Sequence, residues 1–312
     1  MRFYVIFFLV FVSLTTTAQQ KDLTVMDEAD STKGASGYLQ VATTFGNSYF
    51  SSKIKNIDAS QQSNNFVFTP SLSYFHKSGP GLTAAAYRIK DGSNSGFYQF
   101  SISPSYSYTK SENIEATVNY TRYFVKKGYE AIASPFKNEF FGQVNLKKPW
   151  LQPGLSSGFA NGSFTEYHKI DTVLNGTRRI FTDTVNTKLS DFTVSVFVQH
   201  EFVFDALLNK NDEISITPQL LINAGKSVYT ETHQNPFLSR LQKKGTSGRL
   251  KHAGNTNQQT SFEIQSLAFS TDVYYSIGKF GINPQLYLDY YLPKTTDKRF
   301  TSVYSLQLSY NF

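Results

Sequence analysis

Cysteine is absent from this 312-residue chain, so thiol chemistry, disulfides and cysteine metal sites are excluded. Acid–base or metal chemistry falls to the carboxylates and to five histidines, His76, His168, His200, His233 and His252. No two histidines are spaced as H-x-x-x-H, the separation that turns two imidazoles toward one metal ion. His168, Asp171 and Asp183 lie near one another in the sequence, and a histidine with a carboxylate is part of a hydrolytic triad. No nucleophile motif accompanies them, and any polar loop holds similar residues. No catalytic residue, metal site or cofactor is therefore expected. The densest run of one charge is LSRLQKKGTSGRLKHAG, residues 238–254, where Arg240, Lys243, Lys244, Arg249 and Lys251 stand without an acid. Such a run can contact phosphates, fold inward as a basic constriction, or lie solvated.

The elements that must position these groups follow from a period of two. In FYQFSISPSYSY, residues 97–108, Tyr98, Phe100, Ile102, Pro104, Tyr106 and Tyr108 share one face, and Gln99, Ser101, Ser103, Ser105 and Ser107 share the other. The chain has 28 Phe and 20 Tyr yet a mean hydropathy of -0.32, which requires the two kinds of side chain to be kept on separate faces. A soluble sandwich turns a tightly packed aliphatic face inward. Here large rings oppose small hydroxyls and amides, the pattern of a barrel with lipid outside and water inside. The same alternation predicts strands near 37–46, 65–76, 81–90, 96–109, 113–125, 138–148, 152–168, 189–204, 213–227, 261–276, 279–291 and 300–312. That is an even set of about twelve, each as long as the ~9–11 residues a tilted strand needs to cross a bilayer. Pro70, Pro104, Pro218 and Pro284 fall within these strands and each removes a ladder donor, so bulges are expected near them. Asn175-Gly176 between alternating segments predicts a hairpin, carrying the seventh and eighth strands beyond the membrane as a ribbon.

The first residues, MRFYVIFFLVFVSLTTTAQQ, place Arg2 before an apolar run from Phe3 to Val12, with small and polar residues up to Ala18. This is the order of a secretory signal peptide, and the run is too short for a spanning helix. The expected organisation is a signal peptide over 1–18, a polar periplasmic N-terminal tail over 19–36 and a single closed antiparallel β-barrel domain over 37–312. With the first strand running outward, HKSGP, KSEN, KKPWLQ, DALLNKND and IGK connect strands on one side and are short. Residues 47–64, 126–137, 169–188 and 228–260 connect them on the other, and most are long. Short periplasmic turns and long extracellular loops are the asymmetry of outer-membrane barrels.

The chain stops on Tyr304, Leu306, Leu308, Tyr310 and Phe312 alternating with Ser305, Gln307, Ser309 and Asn311. Together with the signal peptide, this ending resembles the C-terminal assembly signal of Gram-negative outer-membrane β-barrel proteins. The Tyr-, Phe- and Asn-rich style resembles barrels of Bacteroidota. The resemblance covers the whole chain architecturally and identifies no subfamily. It implies an outer-membrane location, outer-membrane lipids and lipopolysaccharide as surroundings, and recognition by the outer-membrane assembly machinery. The net charge of +7 then suits anionic headgroups or small anionic solutes, and nucleic acid is not an expected partner.

Strand parity turns Glu115, Glu139, Lys147, Glu201, Asp272 and Asp289 inward. There they set the ion preference of a pore, or only keep its lumen wet. A slip of one residue would reverse every such assignment. A barrel of twelve strands is wider than the eight-stranded kind filled by side chains and narrower than the large porins. The first functional reading is accordingly a passive channel for small polar solutes or ions. The alternative is a non-conducting barrel, an accessory subunit or loop-displaying anchor of a cell-envelope complex. A lumen closed by Tyr123, Phe141 and Phe197 would favour that alternative. A membrane-embedded hydrolase is third.

Overall fold

A strand in lipid has no water to satisfy its backbone, so every edge must find a partner. The computed structural model describes residues 36–47, 66–91, 94–127, 129, 133–174, 177–233, 256–259, 261–293 and 299–312. Among them there is no helix. The strands are β1 (Gly37–Gly46), β2 (Val67–His76), β3 (Pro80–Asp91), β4 (Asn94–Tyr108), β5 (Ile114–Val125), β6 (Asn138–Leu146), β7 (Gln152–Leu174), β8 (Thr177–Gln199), β9 (Phe202–Asp205), β10 (Asp212–His233), β11 (Thr256–Gln259), β12 (Glu263–Ile277), β13 (Phe280–Tyr291) and β14 (Phe300–Asn311). Twelve of them form a closed ring in which each is paired on both sides; β14 pairs with β1, and β8 pairs with β10. The two short strands, β9 and β11, pair only with β10. β9 keeps the register of β8, since Gln219↔Gln199 and Ile216↔Phe202 lie on one ladder. The twelve expected segments are thus the ring strands, with 189–204 divided between β8 and β9.

The seam is held by the last strand. Val41↔Tyr310 and Phe45↔Leu306 are among its pairs with β1. The Phe312 amide donates to the Leu39 carbonyl at 2.8 Å, and the Gln40 amide donates to Asn311 Oδ1 at 3.1 Å. On the outside, Tyr310 meets Phe280 and Phe312 edge-on, each with ring centroids 4.8 Å apart. Trp150, His200 and Phe202 make a second ring contact at the same end of the barrel. Rings tolerate the mixed environment of a membrane interface, and this is the end where they gather.

Three elements outrun the membrane. β7 and β8 are each 23 residues long and pair from Gln152↔Gln199 to Leu174↔Thr177 without a shift. β10 follows β8 as far as His233↔Val185, so the projection is a sheet of three long strands rather than a two-stranded ribbon. Asn175 and Gly176 lie outside the described residues; the pair that flanks them leaves two residues for the turn.

The faces segregate as alternation demands. Phe100, Ile102, Tyr106 and Tyr108 look outward and are exposed, whereas Ser101, Ser103, Ser105 and Ser107 look inward. Ile102→Arg is expected to cost about 2–4 kcal/mol if Ile102 lies near the bilayer midplane; reversible urea unfolding in vesicles measures it.

Register departs from expectation in two places, neither at a proline. Pro70, Pro104, Pro218 and Pro284 pair in register with Thr43, Leu82, Thr271 and Leu306. Each gives up one donor, and the flanking pairs keep the register. The shifts fall instead at Tyr87/Arg88, where Tyr98 is the extra residue, and at Asn223/Ala224, where Gln265 is. A bulge places two successive residues opposite one. Tyr98, expected on the outer face, is therefore turned inside and is 1% exposed, while Phe97 takes the outward place.

Candidate functional site

The barrel interior is the candidate site, and its outer half is packed. Val67, Tyr87, Ile89, Tyr98 and Tyr123, from β2 to β5, form one apolar cluster with Ala133. Leu189 of β8 and Tyr229 of β10 form another with Phe136. Ala133 and Phe136 belong to the β5–β6 connection, which sequence reasoning had placed among the outer loops. Its backbone is tied down inside: the Ser134 amide donates to Gln99 Oε1 at 2.9 Å, and the Lys137 amide donates to the Asn161 carbonyl at 2.8 Å. Gly162 of β7 makes the room. A Cβ there would lie 2.0 Å from the Pro135 carbonyl oxygen and 2.7 Å from Phe136 Cα, distances no packed structure holds. Residues 133–136 thus sit in the mouth of the barrel against β7.

Lower down, Phe197, Leu221 and Ala268 make a third apolar row, with Tyr287 against it. The Phe197 ring lies over its cross-strand partner Gly154, where a Cβ would be 2.1 Å from Cζ. Below these rings runs a chain of amides across β12, β10, β8 and β7. Ser270 Oγ donates to Gln219 at 3.0 Å, Gln219 to Gln199 at 3.1 Å, and Gln199 to Gln152 at 3.3 Å. The wall on β4 to β6 is open enough to stay wet: Ser103, Ser105, Asn119, Thr121, Phe141 and Gln143 are half-buried, as are Ser305 and Gln307 on β14. A polar chamber under an apolar closure is the arrangement.

The six inward charges do not form one ring. Glu115 accepts from Asn145 Nδ2 at 3.1 Å, and Lys147 sits just past the end of β6 with Nζ 3.5 Å from the Thr109 carbonyl. Glu201 follows β8 on the parity of Gln199 and is half-buried. Asp272 accepts from Asn283 and Gln285, both at 2.9 Å. Asp289 is 1% exposed and accepts from the Tyr287 hydroxyl at 3.2 Å. Glu139 accepts from the Tyr123 hydroxyl at 2.9 Å. It alone has a second carboxylate two strands away in its own row: Glu139 pairs with Ala160, and Ala160 with Asp191. Ser227 donates to Asp191 at 2.7 Å. Asp191 was not among the expected charges, although its parity with Phe197 and Gln199 marks it as inward. Burial of carboxylates is tolerated only where such donors replace water.

Arg240, Lys243, Lys244, Arg249 and Lys251 lie outside the described residues. His168 and Asp183 are cross-strand partners in the projecting sheet, and Asp171 pairs with Ile180. His76 is bonded to Ser78 Oγ at 2.7 Å. No group of three or more His, Asp or Glu able to hold a metal ion occurs among the described residues.

No family model matches the chain, and no curated protein matches it by sequence. Solved structures similar to it are β-barrels. The NanC porin is 11% identical with a TM-score of 0.33, covering 87% of this chain and 98% of its own. The outer membrane protease OmpT from Escherichia coli is 10% identical with a TM-score of 0.32, covering 90% of this chain and 100% of its own. LpxR from Salmonella typhimurium is 8% identical with a TM-score of 0.31, covering 87% of this chain and 99% of its own. Identities this low transfer no activity. A closed antiparallel ring of twelve strands, apolar outside and polar inside, is in itself the construction of Gram-negative outer-membrane barrels.

Proposed function

We propose that the chain is an outer-membrane barrel whose lumen is closed toward the cell exterior. In this reading it serves as an accessory or display element of the cell envelope rather than as an open passive pore. The observation that carries this is the 133–136 connection seated in the barrel mouth, with Ala133 and Phe136 packed against inward rings of the wall. A water-filled passage would leave those inner faces solvated. Instead Tyr87, Tyr98 and Tyr123 are 2%, 1% and 5% exposed, and Phe197 lower down is 2% exposed. The three-stranded projection of β7, β8 and β10 supplies what such a protein would present to a partner. Planar-bilayer recording of the purified full chain tests it: no stepwise conductance is expected, and sustained ohmic steps in the unmodified protein would overturn it. The second reading is a channel that opens by withdrawal of the connection. It is favoured by the half-buried polar wall of Ser103, Asn119, Thr121 and Gln143.

A further inference from the structure

The outward face of β5 to β8 carries two adjoining rows of different chemistry. Tyr120, Phe140, Phe159 and Phe192 are successive cross-strand partners. All four rings are exposed, at 39% to 52%. They form an aromatic row at the height where such rings mark the boundary of the hydrocarbon. One outward-facing position further toward the outer ends of the strands, the row changes character to Arg122, Asn138, Asn161 and Ser190, again successive partners. Lys137 and Lys188 stand just beyond it, with Lys188 paired to Ser163.

These groups are held in place. Asn138 Oδ1 accepts from the Tyr120 hydroxyl at 2.7 Å and from Arg122 Nη1. Asn138 Nδ2 donates to Asn161 Oδ1 at 2.8 Å, and Lys137 Nζ donates to Ser163 Oγ at 2.9 Å. A guanidinium has five N–H donors and an ammonium three, so Arg122, Lys137 and Lys188 keep donors to spare. The carboxylates level with these groups, Glu139 and Asp191, are on the other face, and Glu166, Asp171 and Asp183 lie further out in the projecting sheet. Three cations set above a ring belt with no acid beside them are costly next to hydrocarbon, unless anions meet them there.

We infer that Arg122, Lys137 and Lys188, organised by Asn138, Asn161 and Ser163, bind the phosphate of a lipid headgroup in the outer leaflet. The ring row below them seats the acyl chains, and the spare donors above reach the phosphate oxygens. Free phosphate shares the headgroup chemistry but lacks the acyl chains.

The test is native mass spectrometry of the full chain released from phosphatidylcholine nanodiscs doped with phosphatidic acid. The wild type should retain phosphatidic acid in strong preference to phosphatidylcholine. The Arg122→Gln, Lys137→Gln, Lys188→Gln variant should lose about fivefold per charge, on the order of a hundredfold in all. Lys188→Gln alone should lose about fivefold and guards against misfolding of the triple variant. A Lys110→Gln, Lys148→Gln, Lys210→Gln control in the opposite turns should retain the lipid as the wild type does. Equal loss in that control, or unchanged retention in the triple variant, would overturn the site. Displacement of the lipid by millimolar inorganic phosphate would overturn the assignment to a lipid. The outcome does not depend on whether the lumen conducts.

Discussion

Replacing Gly162 with valine is expected to drive the 133–136 connection out of the barrel and open its outer half. The glycine lies on the inner face of β7, and any Cβ there would overlap the Pro135 carbonyl and Phe136 Cα. Backbone cannot shift aside as a flexible side chain can. The β7 ladder on either side, Asn138↔Asn161 and Gly162↔Leu189, holds the strand in register. The connection is therefore the part that yields. Losing it strips Ala133 and Phe136 from two apolar clusters, and overpacking together with lost burial costs about 2–4 kcal/mol. Two readouts follow. Urea unfolding should show that loss, and planar bilayers should show conductance where the wild type has none. Gly142→Ala is the control, because a Cβ there faces outward and meets nothing nearer than 3.6 Å. If Gly162→Val loses stability yet stays silent, β7 has moved instead and the connection is not the closure.

Removing residues 300–312 is expected to abolish the folded barrel altogether. β14 is paired to β13 from Phe300 to Tyr310 and to β1 from Ser305 to Asn311. Its loss would leave two long edges in lipid, where each unsatisfied backbone group costs several kcal/mol. The faster-migrating folded form on unheated gels should vanish, and protease protection with it. Phe312→Ser separates two roles of the ending. The hydrogen bond its N–H donates to the Leu39 carbonyl is backbone to backbone and survives the change, while the ring contact with Tyr310 is lost. The refolded variant should be nearly as stable as the wild type in vesicles, but inserted far less efficiently in cells if the assembly machinery reads that ring. Normal insertion would remove the proposed recognition.

The ring strands were legible because alternation is local: Tyr304 to Phe312 reads as a strand without knowledge of its neighbours. What depended on pairing was not. Tyr98 continues the outward pattern of Phe100 and Ile102 in sequence, and only the bulge opposite Tyr87 turns it inward. Glu139 and Asp191 could each be assigned a face by parity, but not to each other, since which inward groups meet depends on the order and stagger of four strands. Tyr123 and Phe197 stood out as rings on a polar face. Whether they fill a lumen depends on the barrel's width and on what enters it. The 126–137 connection has no period and a length typical of an outer loop; its inward path is set by the gap at Gly162 of β7, two strands on in the sequence and visible only in three dimensions.

Closure by residues 133–136 is the claim on which the account turns, and the absence of native cysteine allows it to be tested with one thiol. Ser134 is buried inside the mouth at 5% exposure, whereas Lys210 lies exposed in the β9–β10 turn. With Ser134→Cys and Lys210→Cys chains folded in detergent micelles, labelling by a water-soluble maleimide should be far slower at 134 than at 210, and Gly162→Val should raise the rate at 134 toward that of the turn. Equal rates at the two positions in the otherwise unmodified chain would mean that the mouth is open and the proposed closure is wrong.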